Sequence, residues 1–173
     1  MRMPFAASFA IFLTTSALAQ PQPQNSQTVT VGPWAISTAY KADKFDSCTM
    51  SRSTGGLGIT FARTQDGLLL VIDSSKWKLD RGKAYSVRLT AGSRSVEAKA
   101  LAETKAVTIA LADGPFNVNL RSSSGLEVHG EGATLRVPLD GSAAALERLE
   151  SCFEKNSREG AETNPFVAPT RRP

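Results

Sequence analysis

The chain has 173 residues, a formal net charge of +4 and a sequence pI of about 9.3. Its basic residues are scattered rather than run together, and only 7% of the chain is aromatic, so the basic, aromatic-interleaved surface of a nucleic-acid binder is missing. Two cysteines and one histidine leave little material for metal, thiol or histidine chemistry.

The N-terminus reads Met1-Arg2-Met3-Pro4, then an apolar run from Phe5 to Leu13, then an Ala-x-Ala site at Ala17 to Ala19. A charged start, a short apolar stretch and a small-residue site make a secretory signal peptide. Residues 1–19 are read as that peptide, with cleavage after Ala19. Gln20, not cysteine, would then lead the chain, which argues against a lipoprotein. The apolar run is shorter than the roughly 20 residues of a transmembrane helix, and no later segment supplies one. A periplasmic or secreted protein is therefore expected, and nucleic acid is not an expected partner.

Residues 20–28 are polar and without periodicity and read as a flexible lead-in. Residues 29–155 read as a single β-rich domain, and 156–173, with Gly160, Pro165 and Pro169, as a disordered tail. Val29 to Tyr40 reads as a strand interrupted at Gly32-Pro33. Beyond it, period-two alternation dominates, the mark of half-buried strands. Leu57, Ile59 and Phe61 alternate with Gly58 and Thr60, and Tyr85, Val87 and Leu89 with Ser86, Arg88 and Thr90. The same rule holds for Val96 to Ala100, Val107 to Leu111 and Leu135 to Leu139. Leu68 to Ile72 is a continuous apolar run, expected to be a strand buried on both faces. Turns are expected at Gly55-Gly56, Asp66-Gly67, Arg81-Gly82, Gly92-Ser93 and Asp113-Gly114-Pro115. Pro115 to Arg121 suits a helix or a strand.

A helix is expected from Ala143 to Lys155, with Ser142 as its N-cap. Leu146, Leu149 and Phe153 form its apolar face, and Glu147, Arg148, Glu150 and Glu154 its wet face. Many short strands and one terminal helix argue for a mainly β fold: an antiparallel β-sandwich or barrel-like sheet with a C-terminal α-helix tied on by a disulfide.

The tie is Cys48 to Cys152, the one intramolecular pairing that two cysteines allow, expected to be oxidised in an exported chain. Two free buried thiols, or intermolecular bonds, are the rivals. A redox-active pair is disfavoured, since Cys152 falls near a helix C-terminus, where the dipole opposes a thiolate.

Catalytic signals are sparse. His129 lies on an alternating strand with Leu126 and Val128 inward, so it reads as a surface histidine, although Glu127, His129 and Glu131 share a face on which a metal site is conceivable. No Gly-x-Ser-x-Gly elbow is present. Asp43 with Asp46, and Glu127 with Glu131, read as solvated carboxylates near turns rather than a glycosidase pair. Thr54-Gly55-Gly56-Leu57-Gly58 lacks the Gly-Lys-Ser/Thr of a phosphate loop and reads as a hairpin. Lys76, Lys78, Arg81, Lys83, Arg88 and Arg94 form the densest basic stretch and read as a solvated sheet face or, alternatively, as a weak attraction for an acidic polymer or lipid surface. Trp34 and Trp77 are core plugs or, alternatively, hot spots for a partner.

Val31-Gly32-Pro33-Trp34, the first cysteine after it, the glycine-rich hairpin, Trp77-x-Leu79-x-x-Gly82-x-x-Tyr85 and Pro138 to Ser142 before the Cys152 helix carry a resemblance. Over residues 31 to 154 the chain is similar to small alphaproteobacterial periplasmic proteins of the invasion-associated locus B type. That resemblance implies a β-rich exported protein and gives no catalytic residues to carry over. The expected function is a non-enzymatic binding or interaction protein of the bacterial envelope, with no cofactor and no metal, whose partner is an envelope or host-surface protein. The alternatives are a small-ligand carrier and an envelope hydrolase using His129.

Overall fold

The computed structural model of the chain describes residues 28–42 and 44–159. The signal peptide, most of the lead-in, Asp43 and the tail from residue 160 lie outside the described residues. Ten strands run in chain order: β1 (Val29–Val31), β2 (Trp34–Lys41), β3 (Lys44–Thr54), β4 (Leu57–Thr64), β5 (Gly67–Asp73), β6 (Ala84–Ala91), β7 (Arg94–Ala102), β8 (Ala106–Ala110), β9 (Gly125–His129) and β10 (Thr134–Pro138). Two helices join them, α1 (Gly114–Ser122) before β9 and α2 (Ser142–Glu159) at the end.

All the strands form one antiparallel sheet, in the order β1-β2-β3-β4-β5-β8-β7-β6-β9-β10. The first five make a plain meander. The β6-β7-β8 meander then enters in reverse, so β8 lies against β5 and β6 against β9. The sheet is curled. Eight strand spacings separate β2 from β10, about 38 Å if flat. Yet the Trp34 indole at the start of β2 donates to the carbonyl of Asp140, two residues past β10, at 3.0 Å. Two residues span only about 7 Å, so the far edge must return to the near one.

Alternation decides which face is core. Ile36, Met50, Phe61, Leu70, Ile109 and Ala100 are cross-strand neighbours on β2, β3, β4, β5, β8 and β7, and all are buried. The opposite face carries Ser37, Thr49, Ser51, Thr60 and Thr108, half-exposed. On β5 only Leu70 and Ile72 are buried, whereas Leu69 and Val71 are half-exposed. The expectation of a strand buried on both faces is therefore corrected, because both helices pack on the inner face.

The segment Pro115 to Arg121 is helical. Asp113-Gly114-Pro115, expected as a turn, is its start. The Asp113 carboxylate accepts from the Phe116 N–H at 2.6 Å, and Pro115 occupies the first turn, where no N–H is needed. α1 buries Phe116 and Leu120. α2 lays Ala145, Leu146, Leu149 and Phe153 over β2 to β4 and extends to Glu159, past the expected end at residue 155. Its first helical residue is Ser142, so Ser142 does not cap it from outside. The Ser142 hydroxyl is buried without a hydrogen-bond partner. Glu150, expected in water, is half-buried. It pairs with Arg63 of β4 at 3.0 Å and lies 3.7 Å from Arg121 of α1, linking a strand and both helices.

Cys48 of β3 and Cys152 of α2 are bonded, with Cα atoms 6.2 Å apart across 104 positions. The helix enters through Gly141 at φ +70°, a conformation that costs other residues about 1–3 kcal/mol. A Cβ added there would sit 3.1 Å from Pro33 Cδ. Gly141→Val should therefore destabilise the fold by about 1–3 kcal/mol, read as a lower urea midpoint with unchanged slope.

Candidate functional site

The helices cover the inner face at the end of the sheet that holds the β2–β3 turn. At the other end the β5–β6 connection, residues 74–83, does the covering. It is not a free loop. Backbone bonds tie it along the β7–β8 hairpin: Ser74 N–H to Lys105 O, Leu79 N–H to Thr104 O and Gly82 N–H to Ala102 O, at 2.7 to 3.1 Å. The buried Ser74 hydroxyl adds a bond to Gly56 O, and Lys105 Nζ donates to Ser75 O. In this fixed strap, Lys76-Trp77-Lys78-Leu79 alternates. Trp77 and Leu79 are half-buried and lysines 76 and 78 are exposed.

Beneath the strap opens a cavity of about 560 Å³. Its floor is Val87, Ala100 and Val128, all buried. Its walls are Trp77, Leu79, Tyr85, Val107 and Leu135, and its rim is Lys83 on the strap side and Glu131 to Ala133 on the β9–β10 turn. The site is therefore the inner face of the sheet left open where neither helix reaches. That volume falls in the roughly 300–1,000 Å³ range of small-ligand sites, and a largely apolar wall with few polar groups is their usual lining. Lys83 Nζ lies 5.1 Å from the Tyr85 ring centroid and 3.9 Å from Asp80. A second hollow, about 590 Å³, is lined by Thr90, Gly92, residues 124–127 and residues 136–138, without any aromatic wall.

The two tryptophans part company. Trp34 is fully buried, edge-on to Phe61 at 5.8 Å, with the Arg52 guanidinium 5.2 Å from its ring. It has no surface to offer and is a core residue, which removes it from the candidate interaction residues. Trp77 remains, on a cavity wall.

His129 lies outside this cavity. Its Nε2 is 3.2 Å from Glu127 and its Nδ1 3.0 Å from the Thr134 hydroxyl, on the outward face of β9 and β10. A carboxylate, an imidazole and a hydroxyl are thus in line, an order suited to proton transfer. Glu127 is also engaged by Arg136 at 3.3 Å; these two side chains line the second hollow, whereas His129 and Thr134 line neither hollow. Glu131, the third member of the conceivable metal group, lines the cavity rim instead. Among the described residues no three His, Cys, Asp or Glu side chains are placed to share a metal ion. Asp46 accepts from its neighbour Ser47 at 3.2 Å. The Gly55-Gly56 pair turns β3 into β4, both at positive φ.

The cavity was not legible as a unit because its walls come from β6, β7, β8, β9, β10 and the strap. The one local signal was the Lys-Trp-Lys-Leu alternation outside any strand. The geometry defines the class: a curled antiparallel sheet, stapled to its terminal helix, with an apolar hollow at one end. Searches of family models, curated proteins and solved structures find no match for the chain.

Proposed function

We propose that this is an exported binding protein that takes an apolar group into the cavity under Trp77. The observation that carries the reading is the apolar floor of Val87, Ala100 and Val128 left open by both helices and held open by a hydrogen-bonded strap. Export is supported by the N-terminal pattern of residues 1–19 and by the Cys48–Cys152 bond, which suits an oxidising compartment. Among the described residues no helix is long and apolar enough to cross a membrane. An envelope role of the invasion-associated locus B type belongs to the same proposal, supported by the order of Trp34 strand, first cysteine and terminal helix. Binding chemistry needs no reacting group in the cavity; the polar side chains that line it are Lys83, Tyr85, Ser86 and Glu131.

The test is an uncharged polarity-sensitive dye, N-phenyl-1-naphthylamine. Saturable fluorescence enhancement at one dye per chain is expected. Ala133→Trp, at an exposed rim position, should abolish it with the melting temperature unchanged. His129→Ala should leave it intact. Enhancement that is absent, or that survives Ala133→Trp, would overturn the reading.

A further inference from the structure

We infer that the occupant is a single-chain anionic amphiphile, its hydrocarbon chain under Trp77 and its acidic head against the lysines of the strap. The inference rests on the binding reading above and adds the chemistry of the ligand.

Charge at the mouth is one-sided. The strap carries Lys76, Lys78, Arg81 and Lys83 against a single acid, Asp80. Arg81 is taken by Glu103 at 2.8 Å. Lys83 reaches the cavity rim, and its distance to Asp80, 3.9 Å, is at the outer limit of an ion pair. Lys76 and Lys78 flank Trp77 in sequence and are exposed. The alternation that turns Trp77 and Leu79 toward the hollow thus leaves Lys76 and Lys78 exposed to water on the same strap. Glu131 stands on the opposite rim, on the β9–β10 turn. An anionic head is therefore attracted to the strap side and repelled from the other, which orients the molecule. The hollow has an apolar floor of Val87, Ala100 and Val128 and a volume of about 560 Å³, which suits one chain taken up as a monomer rather than a bilayer surface.

Lysine stems add to the fit. They can lie along apolar surface while the ammonium stays in water, so a bound chain is covered where it leaves the cavity. Each exposed ammonium–anion contact contributes modestly and is screened by salt. The head should therefore tighten binding by about fivefold at low salt, and the chain should supply the rest.

Trp77 reports occupancy, because Trp34 is sealed in the core and Trp77 forms the wall. Dodecanoate, below its micelle concentration, should quench or blue-shift the tryptophan emission saturably, and Trp77→Phe should remove the response. Dodecanol should bind about fivefold more weakly at low salt, with the gap closing at high salt. Replacing Lys76, Lys78 and Lys83 together by Gln should bring dodecanoate down to the affinity of dodecanol and leave the melting temperature unchanged. Equal affinities of acid and alcohol in the native protein would overturn the anionic-head inference and leave the apolar cavity standing. No response to either, with no dye uptake, would overturn both. Sedimentation with anionic phospholipid vesicles without any titration by dodecanoate would also overturn it, in favour of a surface-binding role.

Discussion

Replacing Cys48 and Cys152 together by Ala should cost about 2–5 kcal/mol of stability, among the largest single losses available to this fold. The bond joins β3 to α2 across 104 positions. Cross-linking a loop of that length removes denatured-chain entropy worth about 4.7 kcal/mol in the simplest model. Alanine is the right replacement, because Cys48 is wholly buried and serine would strand a hydroxyl there. The loss should not be uniform. α2 keeps Leu146, Leu149 and Phe153 on the sheet and the Glu150–Arg63 pair, so it should stay docked but open more readily. Amide exchange in α2 should then accelerate more than in β4 and β5, which have strand partners on both sides. A denaturation midpoint equal to that of the native protein would show that the bond carries no stability. If dithiothreitol treatment of the native chain shifts the midpoint as the double replacement does, the effect belongs to the bond rather than to the side chains.

This staple was readable from sequence because two cysteines leave one intramolecular pairing, and because helical spacing placed Cys152 on the terminal helix. The hairpins were readable for a similarly local reason: Gly55-Gly56 and Gly92 supply the positive φ that their turns require. What failed to show were facts that depend on distant neighbours. Leu68 to Ile72 looks the same whether one face or both are covered, and only the placement of the helices decides. Asp113-Gly114-Pro115 has the composition of a turn and equally that of a helix start, and the outcome rests on Phe116 and Leu120 finding a core. Glu150 sits in a polar stretch of α2, yet Arg63 and Arg121 are brought to it by β4 and α1. The cavity is the extreme case. Val87, Ala100, Val128 and Leu135 converge because β6 pairs with both β7 and β9, an order that no local pattern encodes.

Trp34→Ala should destabilise the protein by about 3–5 kcal/mol, the usual range for removing a large buried aromatic ring. For a domain of this size that is roughly 10–20 °C in melting temperature. The reason lies in what the ring connects. It fills the core beside Phe61, its indole N–H holds the Asp140 carbonyl, and its face carries Arg52, which in turn pairs with the Asp140 carboxylate at 3.0 Å. Asp140 belongs to the turn between β10 and α2, so one side chain of β2 closes the curled sheet on itself and sets the entry of the helix. Truncation opens a void and also leaves a peptide carbonyl without its donor. Trp34→Phe separates these contributions. It keeps most of the ring and loses the hydrogen bond, and should cost about 1–2 kcal/mol. If Trp34→Ala costs no more than Trp34→Phe, the ring is not the plug that its burial implies, and closure of the sheet must rest on the Arg52–Asp140 pair. The contrast with Trp77 is the sharpest form of this argument. Trp77→Ala removes a wall of an already open cavity, so it should leave the melting temperature close to native while abolishing uptake of dye and dodecanoate.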